Sequence, residues 1–419
     1  MQTSGILIKG VLWGLSLILA AMPLVGACAG EEEEGTQQTI VIGSLPDLSG
    51  AVPFQGREAN AGELDAIRYI NEVKGGVDGV NLKMVTIDVK YDTALAAAAY
   101  DRLVSQEHAQ AVVSFIAPGL LPNKEKFARD KVVAVGSANP LANLPYEGGW
   151  IFSSICYYNQ AFAAAVGWLV DNWTGEGDPV VGLIATTVHS AKVISKGIEA
   201  ECNKRGLTYI PKFGDYREVD RTADLMALKD AGADIVFLIH TESAVIKALK
   251  DARQMGFDPI FCGLKSYATE AFAEAAGEDG EGMYCVIDTA TWDQTGIEGI
   301  DFLKEWNAEW HPEVTFRSTQ YILSFVDVLL VAEAIERAIE EVGYENLTGD
   351  DIKASLEGIK DWDPMGLMSP LTFGPDRHVG ATAVRMVQIQ DGQWTSASDW
   401  IEVEDLTAEE SNLEYWEGL

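Results

Sequence analysis

Between residues 39 and 287 short β-branched runs alternate with longer amphipathic stretches, and the alternation plays through twice. The first pass predicts strands at 39–45, 82–88, 111–115 and 132–135, separated by helices at 56–74, 93–107 and 119–129. The second opens with a helix at 159–173. Strands at 180–185, 208–213, 234–239, 259–262 and 282–287 then interleave with helices at 190–205, 221–230, 242–255 and 268–276. Continuously apolar strands joined by helices belong in parallel sheets covered on both faces. The expected fold class is therefore α/β, with two doubly wound parallel-sheet lobes. A length of 419 residues suffices for two cores, since a single core stops growing at about 250–300 residues. Open parallel sheets place ligands outside the carboxyl ends of their strands.

After residue 288 come helical stretches at 299–309, 317–342 and 350–357, then strand-like runs at 370–373 and 383–390 that end at the Asp391-Gly392 turn. The acidic tail 401–419, with Tyr415 and Trp416, reads as peripheral.

Residues 1–27 read as an export signal: Lys9, an apolar core over 11–22, then small residues. Cys28 directly follows Gly26-Ala27, which resembles a bacterial lipobox; the alternative is ordinary cleavage with Cys28 a bystander. Residues 28–38 are too acidic to fold and suit a tether. Several acyl chains on Cys28 would hold the chain stably at a membrane, facing the periplasm or cell exterior.

A net charge of −34 sets nucleic-acid binding aside. It leaves the ligand's charge open, because a pocket can differ from the mean surface. Four cysteines follow Cys28: Cys156, Cys202, Cys262 and Cys285. An exported setting permits disulfides, and Cys262 with Cys285 is the first choice of pair, against buried unpaired thiols. No Cys/His spacing suggests zinc, so neither metal nor cofactor is expected. The sequence contains no G-x-S-x-G, G-x-G-x-x-G, Walker lysine loop or H-E-x-x-H, and its five histidines are scattered. It reads as a non-enzyme.

Several segments carry a resemblance. Ile42–Gly50 with Gln55-Gly56 and Gly62, Ile70–Gly79, Asp88–Asp92, Thr319–Ile322, and Leu371–Phe373 with Asp376 and Val387–Gly392 occur in order and at matching spacing. Together they resemble the type I periplasmic solute-binding proteins of the branched-chain amino acid ABC importer family, over about 39–395. The resemblance implies two lobes joined by a three-crossover hinge near 152, 289 and 365. Lobe one is then 39–152 plus 289–364, and lobe two 153–288 plus 365–400. It also implies a monomer that closes on a small molecule and hands it to ABC permease and ATPase subunits. A ligand-sensing receptor domain acting through a partner protein is the alternative.

Cleft residues are expected in loops at strand ends. Ser49 and Gln55 are candidates for a polar ligand group, with Ser49 also suited to capping the next helix. Family members often hold a ligand carboxylate at the loop after the third strand; here Ala117 and Pro118 stand there, leaving Gly119 as a backbone donor. Ser137 and the N–H of Ala138 match a second carboxylate-binding loop. From lobe two, Tyr157 or Tyr158 is expected to cover the ligand, and His189 and His240 follow strand ends; His240 equally suits a helix cap. Lys265 stands where related amino-acid binders tend to be acidic. Facing the cleft, it favours an anionic ligand without an α-amine; otherwise it is a solvated surface lysine. Asp288 restores an acid for an amine.

Overall fold

The computed structural model describes residues 38–136 and 149–404. The export signal, Cys28, most of the tether, Ser137, Ala138 and the tail beyond 404 lie outside the described residues.

The first sheet contains β1 (Thr39–Ser44), β2 (Asn81–Thr86), β3 (Ala111–Val113), β4 (Val133–Val135) and β5 (Ile151–Phe152), all parallel, in the order β2-β1-β3-β4-β5. The second contains β6 (Val181–Thr186), β7 (Tyr209–Gly214), β8 (Ile235–Ile239), β9 (Ile260–Gly263) and β10 (Tyr284–Ile287), in parallel. Their order, β10-β9-β8-β6-β7, repeats that of the first sheet, so each lobe has its strand-order reversal beside its first strand. Such switch points are where open sheets leave a crevice. Antiparallel β11 (Ala383–Gln390), β12 (Gln393–Ser396) and β13 (Ile401–Glu402) extend the second sheet.

The helices are α1 (Pro53–Arg68), α2 (Thr93–Ser105), α3 (Ala117–Leu120), α4 (Lys124–Asp130), α5 (Tyr158–Asp171), α6 (His189–Arg205), α7 (Thr222–Asp230), α8 (Glu242–Gln254), α9 (Glu270–Ala276), α10 (Glu298–Trp310), α11 (Thr319–Val342) and α12 (Gly349–Gly358). Their starts carry chemical signals. The Asp92 carboxylate accepts from the N–H groups of Ala94 and Leu95 to cap α2, and Ser318 caps α11. Asn71 bonds both the N–H and the carbonyl of Leu82, so the π-helical turn after α1 (Tyr69–Lys74) is pinned to β2.

Helix α11 runs through the first lobe's core and packs closely on α1. Gly62 permits this contact: a Cβ there would lie 2.2 Å from the Tyr321 carbonyl oxygen. Gly62→Ala is expected to destabilise the protein by about 1–3 kcal/mol through overpacking. A urea midpoint equal to wild type would show that the two helices part without cost.

The alternation was legible; its shortest pieces were not. Residues 370–373, expected as a strand, contribute only an isolated bridge between Trp362 and Leu371. Two-residue β5 and β13 are too short to show a period, and β13 places the first residues of the expected peripheral tail against β11. The cysteine pairing is corrected: Cys156, Cys202, Cys262 and Cys285 are all buried free thiols. Cys262 pairs in register with Tyr284, and Cys285 with Gly263. That one-residue offset sends the two side chains to opposite faces of the sheet, and they join different apolar clusters.

Candidate functional site

The carboxyl ends of the two sheets face a shared cavity of about 320 Å³. The first lobe contributes Val52, Gln55, Tyr91, Phe115, Ile116 and Ala117, together with Ser318–Gln320 and Leu323 at the head of α11. The second contributes Tyr158, Ser190, Ile194, Ile239, Leu264–Ser266 and Thr269. A largely apolar wall with a few polar groups is the usual constitution of a small-molecule site.

Among the described residues that line the cavity, Lys265 is the only charged one. Its Nζ lies 3.1 Å from Asp288 Oδ2, with side-chain exposures of 14% and 7%. The pairing follows from the sheet: β9 and β10 are parallel neighbours, so the loops after them emerge at the same end. The Cys156 thiol donates to the other Asp288 oxygen at 3.5 Å. Burial alone would depress the Lys265 ammonium. The Asp288 carboxylate, helped by the Tyr158 hydroxyl, outweighs that and holds its pKa above the ordinary lysine value. Burial likewise raises the Tyr158 phenol and the Cys156 thiol. The cation therefore persists across physiological pH.

Of the residues expected in the cleft, Gln55, Ala117, Tyr158 and Lys265 line the cavity, and Asp288 lies behind Lys265. Gln55 Nε2 also reaches Glu242 Oε1 at 3.3 Å, bridging α1 of one lobe and α8 of the other.

The remaining candidates are placed otherwise. Ser49 is exposed and donates to Asp88 at 2.6 Å, and Asp47 holds the N–H groups of Gly50 and Val52 in its stead. Gly119 is spent locally: its N–H donates to the Ile116 carbonyl, and its Cα sits against Ser114 and Leu45. Tyr157 is buried one residue before α5 and does not line the cavity. His189 is an exposed first residue of α6; its neighbour Ser190 reaches the cavity. His240 is buried in lobe two, where its N–H donates to the Tyr267 hydroxyl and its ring Nδ1 accepts from the Thr241 N–H. Burial, with Arg221 nearby, lowers its pKa, so an anion-binding imidazolium is disfavoured.

Tyr91, Phe115 and the head of α11 were not foreseen as cavity residues. A signal existed for the last: Ser318 before a long apolar helix marks a helix start, and helix starts at sheet ends border ligand sites.

Two α/β lobes of matching topology, joined around a small, largely apolar cavity with one charged pole, define a solute-binding protein. The chain belongs to the periplasmic binding protein family, whose model matches residues 39–393. It is 24% identical over 335 residues to the leucine-, isoleucine-, valine-, threonine-, and alanine-binding protein of Pseudomonas aeruginosa, covering 78% of this chain and 85% of that one. Among solved structures, it resembles a branched chain amino acid ABC transporter from Thermus thermophilus with bound valine (TM-score 0.77, 18% identity, 89% and 98% of the two chains). It also resembles a fatty acid ABC transporter substrate-binding protein from Thermomonospora curvata (TM-score 0.76, 19% identity, 89% and 94%). Fold likeness at such identities does not choose the ligand.

Proposed function

We propose that this chain is the extracytoplasmic binding component of an ABC importer and that its ligand is a small carboxylate with an apolar body. The observation that carries the ligand class is Lys265, a cation on a wall whose other described residues are uncharged. Among the described lining residues there is no carboxylate to receive an α-ammonium, and Asp288 is engaged by Lys265. An ammonium buried there would lose its hydration without a dedicated partner. Carboxylates without an amine are thus favoured over leucine.

Binding in this reading is closure of two lobes, with the ligand adding contacts available only in the closed state. The proposed hinge is the set of three crossovers near 152, 289 and 365. Supporting it, Ser153 bridges Val379 and Thr289 bridges Met368, which brings the three chain passages together in pairs. The third passage is the longest: Phe373 and His378 still pack on Phe152 of β5 before the chain enters β11. The proposal includes export by residues 1–27, a lipid on Cys28, residues 28–38 as tether, and delivery as a monomer to permease and ATPase subunits.

A thermal-shift series tests the ligand class. A ligand that binds only the native state stabilises it by about 2.7 kcal/mol at one hundred times its Kd. 4-Methylpentanoate and benzoate are expected to raise the melting temperature more than leucine does. A response to leucine alone would replace the carboxylate reading with an amino-acid one. Silence across carboxylates, amino acids and amides would end the solute-binding reading of the cavity.

A further inference from the structure

The loop after β2 carries a tyrosine in a backbone conformation that side chains avoid. Lys90 and Tyr91 both have left-handed φ, +53° and +58°. Left-handed backbone is costly for residues with a Cβ, and two in succession persist only where the surroundings hold them.

Asp88 does the holding. Its Oδ1 accepts from the N–H groups of Leu48 at 2.9 Å and Lys90 at 3.0 Å, and its Oδ2 accepts from Ser49 Oγ at 2.6 Å. Just after it, the Val89 N–H donates to the Pro46 carbonyl and the Asp92 N–H to the Val89 carbonyl. The loop after β1 presses in so closely that a Cβ on Gly50 would lie 2.3 Å from the Lys90 carbonyl oxygen. The outcome is a Tyr91 side chain that lines the cavity while remaining 43% exposed. It therefore stands where the cavity opens to solvent, across the cleft from Tyr158.

We propose that Tyr91 is a specificity-determining residue that closes the mouth of the ligand site and limits the length of the apolar body it admits, with Asp88 as its positioning residue. This inference rests on the solute-binding reading above. Lys265 holds the charged head from the second lobe, and the Tyr91 ring of the first lobe stands at the solvent-facing mouth. A body that reaches past the ring must displace it, which the Asp88-locked loop opposes. Asp88 itself does not line the cavity, so its influence on the ligand runs through Tyr91.

The test is a calorimetric titration of straight-chain carboxylates of four to ten carbons and of the matching 2-amino acids. Wild type, Tyr91→Ala, Tyr91→Phe and Asp88→Ala are compared. Whichever head group binds, wild type is expected to lose at least about tenfold in affinity between six and ten carbons. Tyr91→Ala is expected to shrink that discrimination below about threefold, Asp88→Ala to do likewise, and Tyr91→Phe to keep it. Melting temperatures accompany each variant, because a merely structural Asp88 would lower stability while leaving the chain-length profile alone. An unchanged profile in Tyr91→Ala overturns the proposal and leaves the solute-binding reading standing. A wild-type protein that binds no member of either series brings down both.

Discussion

Replacing Lys265 with methionine is expected to weaken every carboxylate that stabilises the wild-type protein by about 10–100-fold, because a charge-assisted hydrogen bond contributes roughly 1.5–3 kcal/mol. The same substitution has a second effect. It strands Asp288, whose side chain is only 7% exposed, without its partner at 3.1 Å. Breaking one side of a buried pair costs about 3–5 kcal/mol, whereas replacing both sides with neutral groups is often free. Lys265→Met is therefore expected to melt well below wild type, and Lys265→Met with Asp288→Asn to recover most of the loss. Binding is expected to stay weak in both. Calorimetric titration of the double variant decides the matter. Wild-type affinity in that protein would make the ion pair a structural feature of lobe two with no hold on the ligand.

The second large effect is a pH dependence that has nothing to do with the ligand. Glu63 on α1 is 1% exposed. It accepts from Ser44 Oγ of β1 at 2.5 Å, and the buried Asp327 of α11 lies close enough to repel its ionised form. Burial is the main cause that raises its pKa, to about 8; the Ser44 bond opposes this and Asp327 adds to it. Above its ordinary value of 4.5 the unfolded chain has released this proton, while the folded chain keeps it until about pH 8. The folded state then binds more protons, so stability falls as pH rises through that window, at about 1.4 kcal/mol per pH unit. Glu63→Gln cannot ionise and is expected to remove this slope. It is therefore expected to be more stable than wild type at pH 8 by several kcal/mol, and nearer to it at pH 5. Urea titrations of both proteins from pH 4.5 to 9 provide the check. Parallel curves would mean that Glu63 is already ionised within the core. Asp327 also accepts a 2.5 Å bond from Ser154, in the chain passage after β5, and so links α11 to the first crossover.

How far the cleft could be read in advance varied by residue. Gln55, Ala117 and Lys265 follow strand ends in the alternation, and the fold delivers strand ends to one place, so their positions along the chain foretold the cavity; Tyr158, which follows the two-residue β5, was expected only from the family resemblance. Ser49 and Gly119 satisfied the same rule and are nevertheless spent locally, one on Asp88 and one on Ile116. Their hydrogen bonds depend on how two loops meet, which spacing does not encode. Tyr91 was invisible for a related reason. Nothing in a Lys-Tyr pair signals left-handed backbone; it is imposed by Asp88 and by the close approach of Gly50. The cysteines teach the same lesson at smaller scale. Both Cys262 and Cys285 lie in strands of one sheet, and a single step of register turned a plausible bridge into two thiols on opposite faces.

Local periodicity determined the architecture: apolar runs and amphipathic stretches, repeated twice, admit parallel sheets with helices on both faces, and the motifs along them mark the family. Tertiary structure alone decided the electrostatics. Lys265 and Asp288 are 23 residues apart, and only the side-by-side placement of β9 and β10 turns them into a buried pair with one face on the cavity. Periodicity reports which surface a residue buries, a property of its nearest neighbours along the chain. Charge pairing and loop strain depend on distances between segments remote in sequence, and those distances exist only once the sheets have formed.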